Sequence, residues 1–190
     1  MASSMQLDSA PPLCDPPLPL DGKREVGASA VWTVTSAKPG HGVEAMRDPA
    51  AGTYWQSDGA QPHVVTLAFP RKLEVLELAF LVDFKADESY TPKTLRVLAG
   101  NSPAELRELR SLELAEPVGW VHVRLQQPGA AGAPPRSLQT FLLQLVVATN
   151  HQNGRDTHIR QMRVFGPRRD QVEARLRGEG EAFREYAVVR

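Results

Sequence analysis

The 190-residue chain lacks the features that mark secreted and membrane-spanning proteins. Its single cysteine, Cys14, cannot form an internal disulfide or supply a cysteine-rich metal site. No apolar run approaches the roughly 20 residues of a membrane-spanning helix, and no apolar stretch follows a basic start. We therefore expect no membrane partner, no signal peptide and a reducing compartment, the nucleus or the cytoplasm.

Net charge is also absent, because 22 lysines and arginines balance 22 aspartates and glutamates. Binding to nucleic acid requires a basic surplus or at least a basic face that neutralises phosphates. No segment of the chain carries a strong excess of either sign. We therefore expect no nucleic-acid partner.

Motifs of known enzyme classes are missing as well. The chain contains no phosphate-cradling glycine loop, no Gly-x-Ser-x-Gly elbow, no His-Glu-x-x-His helix and no cysteine pair. A hydrolytic group of Ser89, His151 and Asp156 can be assembled on paper, but nothing in the spacing selects it. His151 and His158 could ligate a metal, but no third ligand stands out. We expect no catalytic residue, no metal and no cofactor.

Proline and glycine divide the chain into three parts. Five of the 16 prolines fall between Pro11 and Pro19, in a composition typical of a disordered leader. The boundaries predicted from this are a Pro-rich leader over residues 1–22, one domain over 23–167 and a flexible tail over 168–190. Proline and glycine also predict a surface loop over residues 126–137.

Alternation of apolar and polar residues dominates the predicted domain. Period-two runs over residues 65–69, 76–84, 121–125 and 141–147 indicate short strands, and they predict an all-β antiparallel sandwich. The run over 141–147 is apolar on both faces, so we expect a central strand covered on each side. Helix-start signals are few. They indicate one or two helical turns over 104–109, where the apolar spacing fits an extended segment equally well, and a helix that could start at Asp170 and run toward Leu176.

Polar loops stand between these strands. Residues 150–158 carry almost no apolar atoms and follow the most hydrophobic strand, and residues 85–92 play the same part elsewhere. Their amide, hydroxyl, carboxylate and guanidinium groups suit an extended peptide. The alternative is that Asn, Asp, Gly and Ser only form turns. A third segment, residues 54–59, opens with Tyr54 and Trp55, which are typical of core or rim packing.

Several of these motifs, in this order, resemble those of one family. They are Arg24-Glu25-Val26-Gly27, Ala30-Val31-Trp32, Lys38-Pro39-Gly40, Thr53-Tyr54-Trp55-Gln56-Ser57-Asp58-Gly59, Gln61-Pro62-His63, Asp87-Glu88-Ser89-Tyr90-Thr91-Pro92, Gly119-Trp120 and the nine residues from Asn150 to His158. The chain resembles the DOC-domain subunit of the anaphase-promoting complex, a cullin-containing ubiquitin ligase of the cell cycle. The resemblance runs from about Arg24 to Pro167.

The resemblance implies a jelly-roll sandwich similar to galactose-binding domains, with a role in substrate recognition and not in chemistry. In this family the domain and a WD40 coactivator together hold the destruction box of a substrate, a degron centred on Arg-x-x-Leu, and so promote processive ubiquitination. By match of motif, the degron-binding residues are Ser89, Tyr90, His151, Gln152, Asn153, Asp156 and His158.

The resemblance also implies contacts with other subunits. The family ends in an Ile-Arg dipeptide that docks on a tetratricopeptide scaffold subunit, and here Val189 and Arg190 stand in its place. Cullin and large scaffold subunits are further expected partners. A different reading, suggested by the fold, is a lectin-like domain that binds carbohydrate, with Trp55 stacking on a pyranose ring.

Overall fold

The computed structural model of the chain describes residues 22–50, 52–125, 137–168 and 170. These residues form an antiparallel β-sandwich, as the alternation predicts. Its strands are β1 (Lys23–Glu25), β2 (Val31–Val34), β3 (Trp55–Gln56), β4 (His63–Val75), β5 (Glu77–Asp83), β6 (Pro92–Gly100), β7 (Arg107–Glu113), β8 (Val118–Arg124), β9 (Leu138–Asn150), β10 (His158–Ile159) and β11 (Gln161–Pro167). The helices α1 (Val43–Arg47) and α2 (Phe84–Asp87) are short, and 3-10 turns cover Gly27–Ser29, Glu88–Tyr90, Pro103–Glu105 and His151–Asn153.

Two sheets enclose the core. The larger sheet has the strand order β2-β4-β9-β6-β7, and the smaller has the order β1-β11-β5-β8. A two-stranded ribbon of β10 and β3 extends one end of the sandwich. Because alternate side chains of each strand point inward, β4 and β9 contribute matched pairs to the interior. Val65 lies opposite Leu145 and Leu67 opposite Leu143, and none of these four side chains is exposed.

The predicted central strand is confirmed. β9 pairs with β4 on one side and β6 on the other, so its apolar run lies in the middle of the larger sheet. Its inward residues are fully buried, whereas Leu142 and Gln144 on the outer face are only half-buried. The outer face of this strand is therefore covered less completely than the sequence indicates.

Two local predictions need correction. Of the two alternatives for residues 104–109, the helical one is limited to the 3-10 turn Pro103–Glu105, and from Arg107 the chain is extended as β7 because it pairs with β6. The run over 76–84 ends as a strand at Asp83, whose carboxylate accepts hydrogen bonds from the backbone amides of Lys85 and Ala86 and so starts α2. Every residue of β5 is buried, including those that the alternation places outside.

Other predictions lie outside the described residues. These are the leader and Cys14, most of the 126–137 loop, the helix over 170–176 apart from Asp170, and the tail with Val189 and Arg190. Within the described ranges, no helix has the length and apolar content needed to cross a membrane.

Candidate functional site

The predicted polar loops meet at one end of the sandwich, which we call the rim. The rim comprises residues 83–91, between β5 and β6, and residues 150–158, between β9 and β10. The amide of His151 donates a hydrogen bond of 2.9 Å to the carbonyl oxygen of Thr91, and this bond ties the two segments together at their base. Residues that are far apart in the chain thereby form one surface.

At Gly154 the backbones of the two rim segments approach each other so closely that no residue with a Cβ atom fits there. A Cβ atom placed on Gly154 would lie 1.7 Å from the carbonyl oxygen of Ser89 and 2.6 Å from its carbonyl carbon. Gly154 has a φ of −61° and a ψ of 145°, which any residue can adopt. The glycine is therefore required by the approach of Ser89 and not by its own backbone conformation.

Three side chains hold the backbone of the 150–158 segment, two of them buried and one, Gln61, exposed. The Asn150 amide donates to the carbonyl oxygen of Asp156 at 2.6 Å, and the Gln61 amide donates to that of Gly154 at 2.9 Å. His63, which is fully buried, donates through Nε2 to the carbonyl oxygen of Arg155 at 2.6 Å. Because these contacts satisfy three successive carbonyl groups, the loop is fixed without using its outward side chains.

The ribbon of β3 and β10 anchors the end of the same segment. The Thr157 amide donates to the Ser57 hydroxyl at 2.8 Å, and the Ser57 amide donates to the carbonyl oxygen of Thr157 at 3.1 Å. The Thr157 hydroxyl donates to the carbonyl oxygen of Tyr90 at 3.3 Å. The third motif of the sequence, residues 54–59, therefore supports the rim from beneath.

A buried carboxylate joins the two rim segments through their side chains. Asp87 accepts two hydrogen bonds from the Arg160 guanidinium, from Nε at 3.0 Å and from Nη2 at 2.8 Å. Its Oδ1 also lies 3.0 Å from Nδ1 of His158. All three side chains are about nine-tenths buried or more. We call Asp87, His158 and Arg160 the rim network.

The surroundings keep Asp87 ionised. Burial by itself raises the pKa of the Asp87 carboxyl, but the hydrogen bonds and charges of His158 and Arg160 outweigh burial and bring the pKa below its ordinary value of 3.8. An ionised carboxylate only accepts hydrogen bonds, so Nδ1 of His158 is the donor in this contact.

Aromatic rings stack on both faces of His158. The ring centroids of His158 and Tyr54 are 4.2 Å apart with an interplanar angle of 30°, and those of His158 and Tyr90 are 4.3 Å apart with an angle of 15°. His41 extends the stack, 4.7 Å beyond Tyr54. Tyr90 ends it at the surface with 39% of its area exposed. The rim network therefore lies directly behind an exposed aromatic ring.

Unusual backbone conformations concentrate at this end of the molecule. Among the described residues, four that are not glycine have a positive φ: Glu88 (43°), Glu116 (48°), Gln152 (51°) and Asn153 (58°). Three lie in the rim, and the fourth lies in the β7–β8 connection beside it, where Pro117 accepts a hydrogen bond from the Phe84 amide. Such conformations persist only where the surrounding contacts enforce them, and they are frequent at functional sites.

The structure brings all seven predicted degron residues into the rim, at two depths. Tyr90, Gln152 and Asn153 are exposed, and Ser89 and Asp156 are half-buried. The other two, His151 and His158, lie beneath this surface with less than a tenth of their area exposed. The outward layer therefore offers hydroxyl, amide and carboxylate groups, while the histidines support it from below.

His151 is buried against an aromatic ring. Nε2 of His151 is buried and has no hydrogen-bond partner among the described residues, so no donor–acceptor chain links it to Ser89 and Asp156. His151 instead packs its ring edge against Phe84, with centroids 4.9 Å apart. No group of three or more metal-ligating side chains occurs in the part of the chain that the structure describes.

Sequence reasoning missed four residues that build the rim: Tyr54 as part of the stack, His63, Asp87 and Arg160. Asp87 and Arg160 are 73 positions apart and Asp87 and His158 are 71 apart, so no local pattern indicates their contact. The only available signal was that Asp87 begins one matched motif and Arg160 follows another.

The chain is similar in sequence to the members of one protein family. The model of the family described as "Anaphase-promoting complex, subunit 10 (APC10)" matches residues 18–186, a range that includes the whole rim. The chain is 49% identical over 144 residues to "Anaphase-promoting complex subunit 10" of Homo sapiens, which covers 76% of this chain and 75% of that protein. Its identity to the protein of the same name from Drosophila melanogaster is 45% over 144 residues, covering 76% and 71%.

Solved structures of carbohydrate-binding modules have the same fold as this chain. The family 32 carbohydrate-binding module of Clostridium perfringens NanJ, solved in complex with galactose, superposes with a TM-score of 0.61. The match covers 75% of this chain and 98% of the module, at 10% sequence identity. At this identity the likeness concerns the fold alone, a jelly-roll sandwich of the galactose-binding type.

Proposed function

Because the chain belongs to the anaphase-promoting complex subunit 10 family, we propose that it is a non-catalytic subunit of this ubiquitin ligase that binds destruction-box degrons at the rim. A WD40 coactivator supplies the other half of the degron site. Its other partners in the complex are the tetratricopeptide scaffold, the cullin and the large scaffold subunits.

The observation that carries the proposal is the form of the rim. Two segments, held by buried contacts, present Ser89, Tyr90, Gln152, Asn153 and Asp156 on one continuous surface. An extended peptide has a backbone donor and acceptor at nearly every residue, and it needs many partners of modest strength in fixed places. A rim that is rigid before binding loses little conformational entropy when the peptide arrives.

The mechanism follows from effective concentration. A degron held by the coactivator meets the rim as an intramolecular neighbour, so a weak second contact lengthens the residence time without being strong alone. Longer residence allows more ubiquitin transfers in each encounter. The subunit thereby promotes processive modification although it makes and breaks no bond itself.

The carbohydrate-binding alternative depended on Trp55 as a stacking platform. Trp55 is fully buried in the core, and its indole nitrogen donates a hydrogen bond of 3.0 Å to the carbonyl oxygen of Ser36. A ring in that position has no free face for a sugar. The fold is that of a carbohydrate-binding module, but the proposed platform is not available.

The test replaces the outward hydrogen-bonding groups. We expect the complex containing Asn153→Ala and Asp156→Ala to build shorter ubiquitin chains on a destruction-box substrate in each binding event, measured in single-encounter ubiquitination assays. Asn101→Ala with Glu105→Ala is the matched control, because both residues are exposed and belong to the connection after β6, at the opposite end of that strand from the rim. Unchanged chain length for the rim variant would refute the proposal.

A further inference from the structure

Two buried carboxylates mark opposite ends of strand β5. Asp87 lies in α2, immediately after the strand, and belongs to the rim network. Glu77 opens the strand, about 20 Å away along its axis. Glu77 accepts a hydrogen bond from His122 Nδ1 at 2.8 Å and one from Lys23 Nζ at 2.5 Å. We call Glu77, His122 and Lys23 the distal network.

Asp87 contacts both segments that form the rim surface. It lies in the helix that leads into Glu88–Tyr90, and through its carboxylate it holds His158, the last residue of the 150–158 segment, and Arg160, two residues beyond it. Its two oxygens accept from three N–H groups, two on Arg160 and one on His158. The carboxylate therefore links α2 directly to the end of the second rim segment.

The hydrogen bond between Asp87 and His158 fixes both the tautomer and the orientation of the His158 ring. Because the Asp87 carboxylate only accepts, it selects the tautomer of His158 with the hydrogen on Nδ1 and sets the plane of the ring. Tyr90 stacks on that ring at 4.3 Å, so its orientation depends on His158. Tyr90 is adjacent to Ser89 and has an exposed face toward solvent.

We propose that Asp87 is a positioning residue for degron recognition: through Arg160 and His158 it sets the geometry of the Ser89–Tyr90 segment without touching the peptide. This inference rests on the proposed function of the rim. The distal network also joins a carboxylate, a histidine and a basic side chain, with lysine in place of arginine, but it contacts neither rim segment, so its carboxylate does not affect peptide binding.

The experiment compares Asp87→Asn with Glu77→Gln in the assembled complex with coactivator and a fluorescent destruction-box peptide. Whichever way the amide introduced at position 87 faces, it places an N–H group against an N–H group of Arg160. We expect about tenfold weaker peptide binding, which is the effect if the loss of one such charge-assisted contact is expressed in the binding-competent geometry of the rim. For Glu77→Gln we expect a change of less than about twofold.

A double-mutant cycle separates positioning from general destabilisation. If Asp87 acts through Tyr90, then Asp87→Asn adds little further loss in a Tyr90→Ala background, whereas independent effects multiply. Nitrogen-15 NMR of histidine-labelled full-length chain gives a second reading, with the hydrogen of His158 expected on Nδ1. A hydrogen found on Nε2 instead, or a loss that multiplies fully with Tyr90→Ala, would overturn the inference.

The outcomes also distinguish this inference from the proposed function. If Asn153→Ala with Asp156→Ala weakens peptide binding and Asp87→Asn does not, the positioning role is wrong and the rim remains the receptor. If neither weakens binding, both are wrong. Should Asp87→Asn be unfolded at the assay temperature, Arg160→Lys takes its place, because it keeps the charge but removes the two-pronged contact, and the same loss is expected.

Discussion

The rim network and the distal network use the same groups in different surroundings. Each joins a carboxylate, a histidine and a basic side chain, and in each the carboxylate is at least nine-tenths buried. The partners differ: His158 and Arg160 have 9% and 11% of their side-chain area exposed, whereas Lys23 and His122 have 26% and 39%. Water therefore screens the distal contacts far more than those of the rim.

The neighbours of the two histidines differ as well. His158 lies between two tyrosine rings, one of which, Tyr90, is exposed at the surface of the rim. His122 lies on β8, which is an edge strand of the smaller sheet as far as the structure describes it. Similar networks thus lie beneath the rim at one end and at the junction of β1, β5 and β8 at the other.

The two networks should differ most in the stability that is lost when the basic side chain, Arg160 or Lys23, is removed. Arg160→Met leaves the Asp87 carboxylate buried without its strongest partner, so we expect a loss of about 3–5 kcal/mol in the free energy of unfolding. Lys23→Met leaves the buried Glu77 carboxylate with its His122 contact, and because the Lys23 side chain is 26% exposed we expect a loss of about 1 kcal/mol or less. Urea denaturation of both variants measures the two losses, and equal values would show that burial does not separate the networks.

The next largest expected effect on stability comes from the close approach of Gly154 to the Ser89 carbonyl group. A methyl group at Gly154 meets the Ser89 carbonyl, which belongs to the backbone and cannot rotate away, so Gly154→Ala should lower the free energy of unfolding by about 1–3 kcal/mol. Gly52→Ala is the control, because a Cβ there meets no atom within 4 Å, and we expect a change within about 0.5 kcal/mol. If Gly154→Ala unfolds at the same urea concentration as the wild type, the two rim segments are not held as described.

Acid should weaken the two networks in sequence. Burial raises the pKa of the Glu77 carboxyl, but His122 and Lys23 outweigh burial and bring the pKa below its ordinary value of 4.5, as happens to Asp87 relative to 3.8. A carboxyl whose folded-state pKa is lowered stabilises the fold fully above its unfolded pKa and loses that contribution as the pH falls toward the folded value.

The stabilisation by Glu77 should therefore begin to decline near pH 4.5, and that by Asp87 only near pH 3.8. This is the smallest of the expected effects, at no more than about 1 kcal/mol for Glu77, whose partners Lys23 and His122 are partly exposed to water. Unfolding of wild type, Glu77→Gln and Asp87→Asn between pH 3 and 6 measures it. A difference between wild type and Glu77→Gln that grows as the pH falls through 4.5 would contradict the assigned direction.

Much of the fold was predictable from local patterns. Alternation identified the strands that became β4, β8 and β9, because a strand with one buried face repeats every second residue. It was less informative for β5, which is buried on both faces, and for residues 104–109, where pairing with β6 extended a segment that carried helix-start signals. In both places tertiary contacts decided the outcome.

The outward layer of the rim was also predictable, since polar loops after apolar strands and the matched motifs point to Ser89 and the 150–158 segment. The layer beneath it was not. Asp87 reads as one more polar loop residue, and its contact with His158 and Arg160 spans more than 70 positions of sequence. Stacking of Tyr54 on His158 likewise depends on the β3–β10 ribbon, two residues on each side, which is too short for any periodicity to reveal.

The most direct test of the central claim is to ask which end of the sandwich touches the degron. A photo-reactive phenylalanine derivative placed at Asn153 in the rim, or at exposed His122 in the distal network, would be incorporated into the assembled complex with coactivator and irradiated with a destruction-box substrate. We predict crosslinking to the substrate from position 153 alone, abolished by excess destruction-box peptide. Crosslinking from position 122 with equal yield, or none from position 153, would contradict the account.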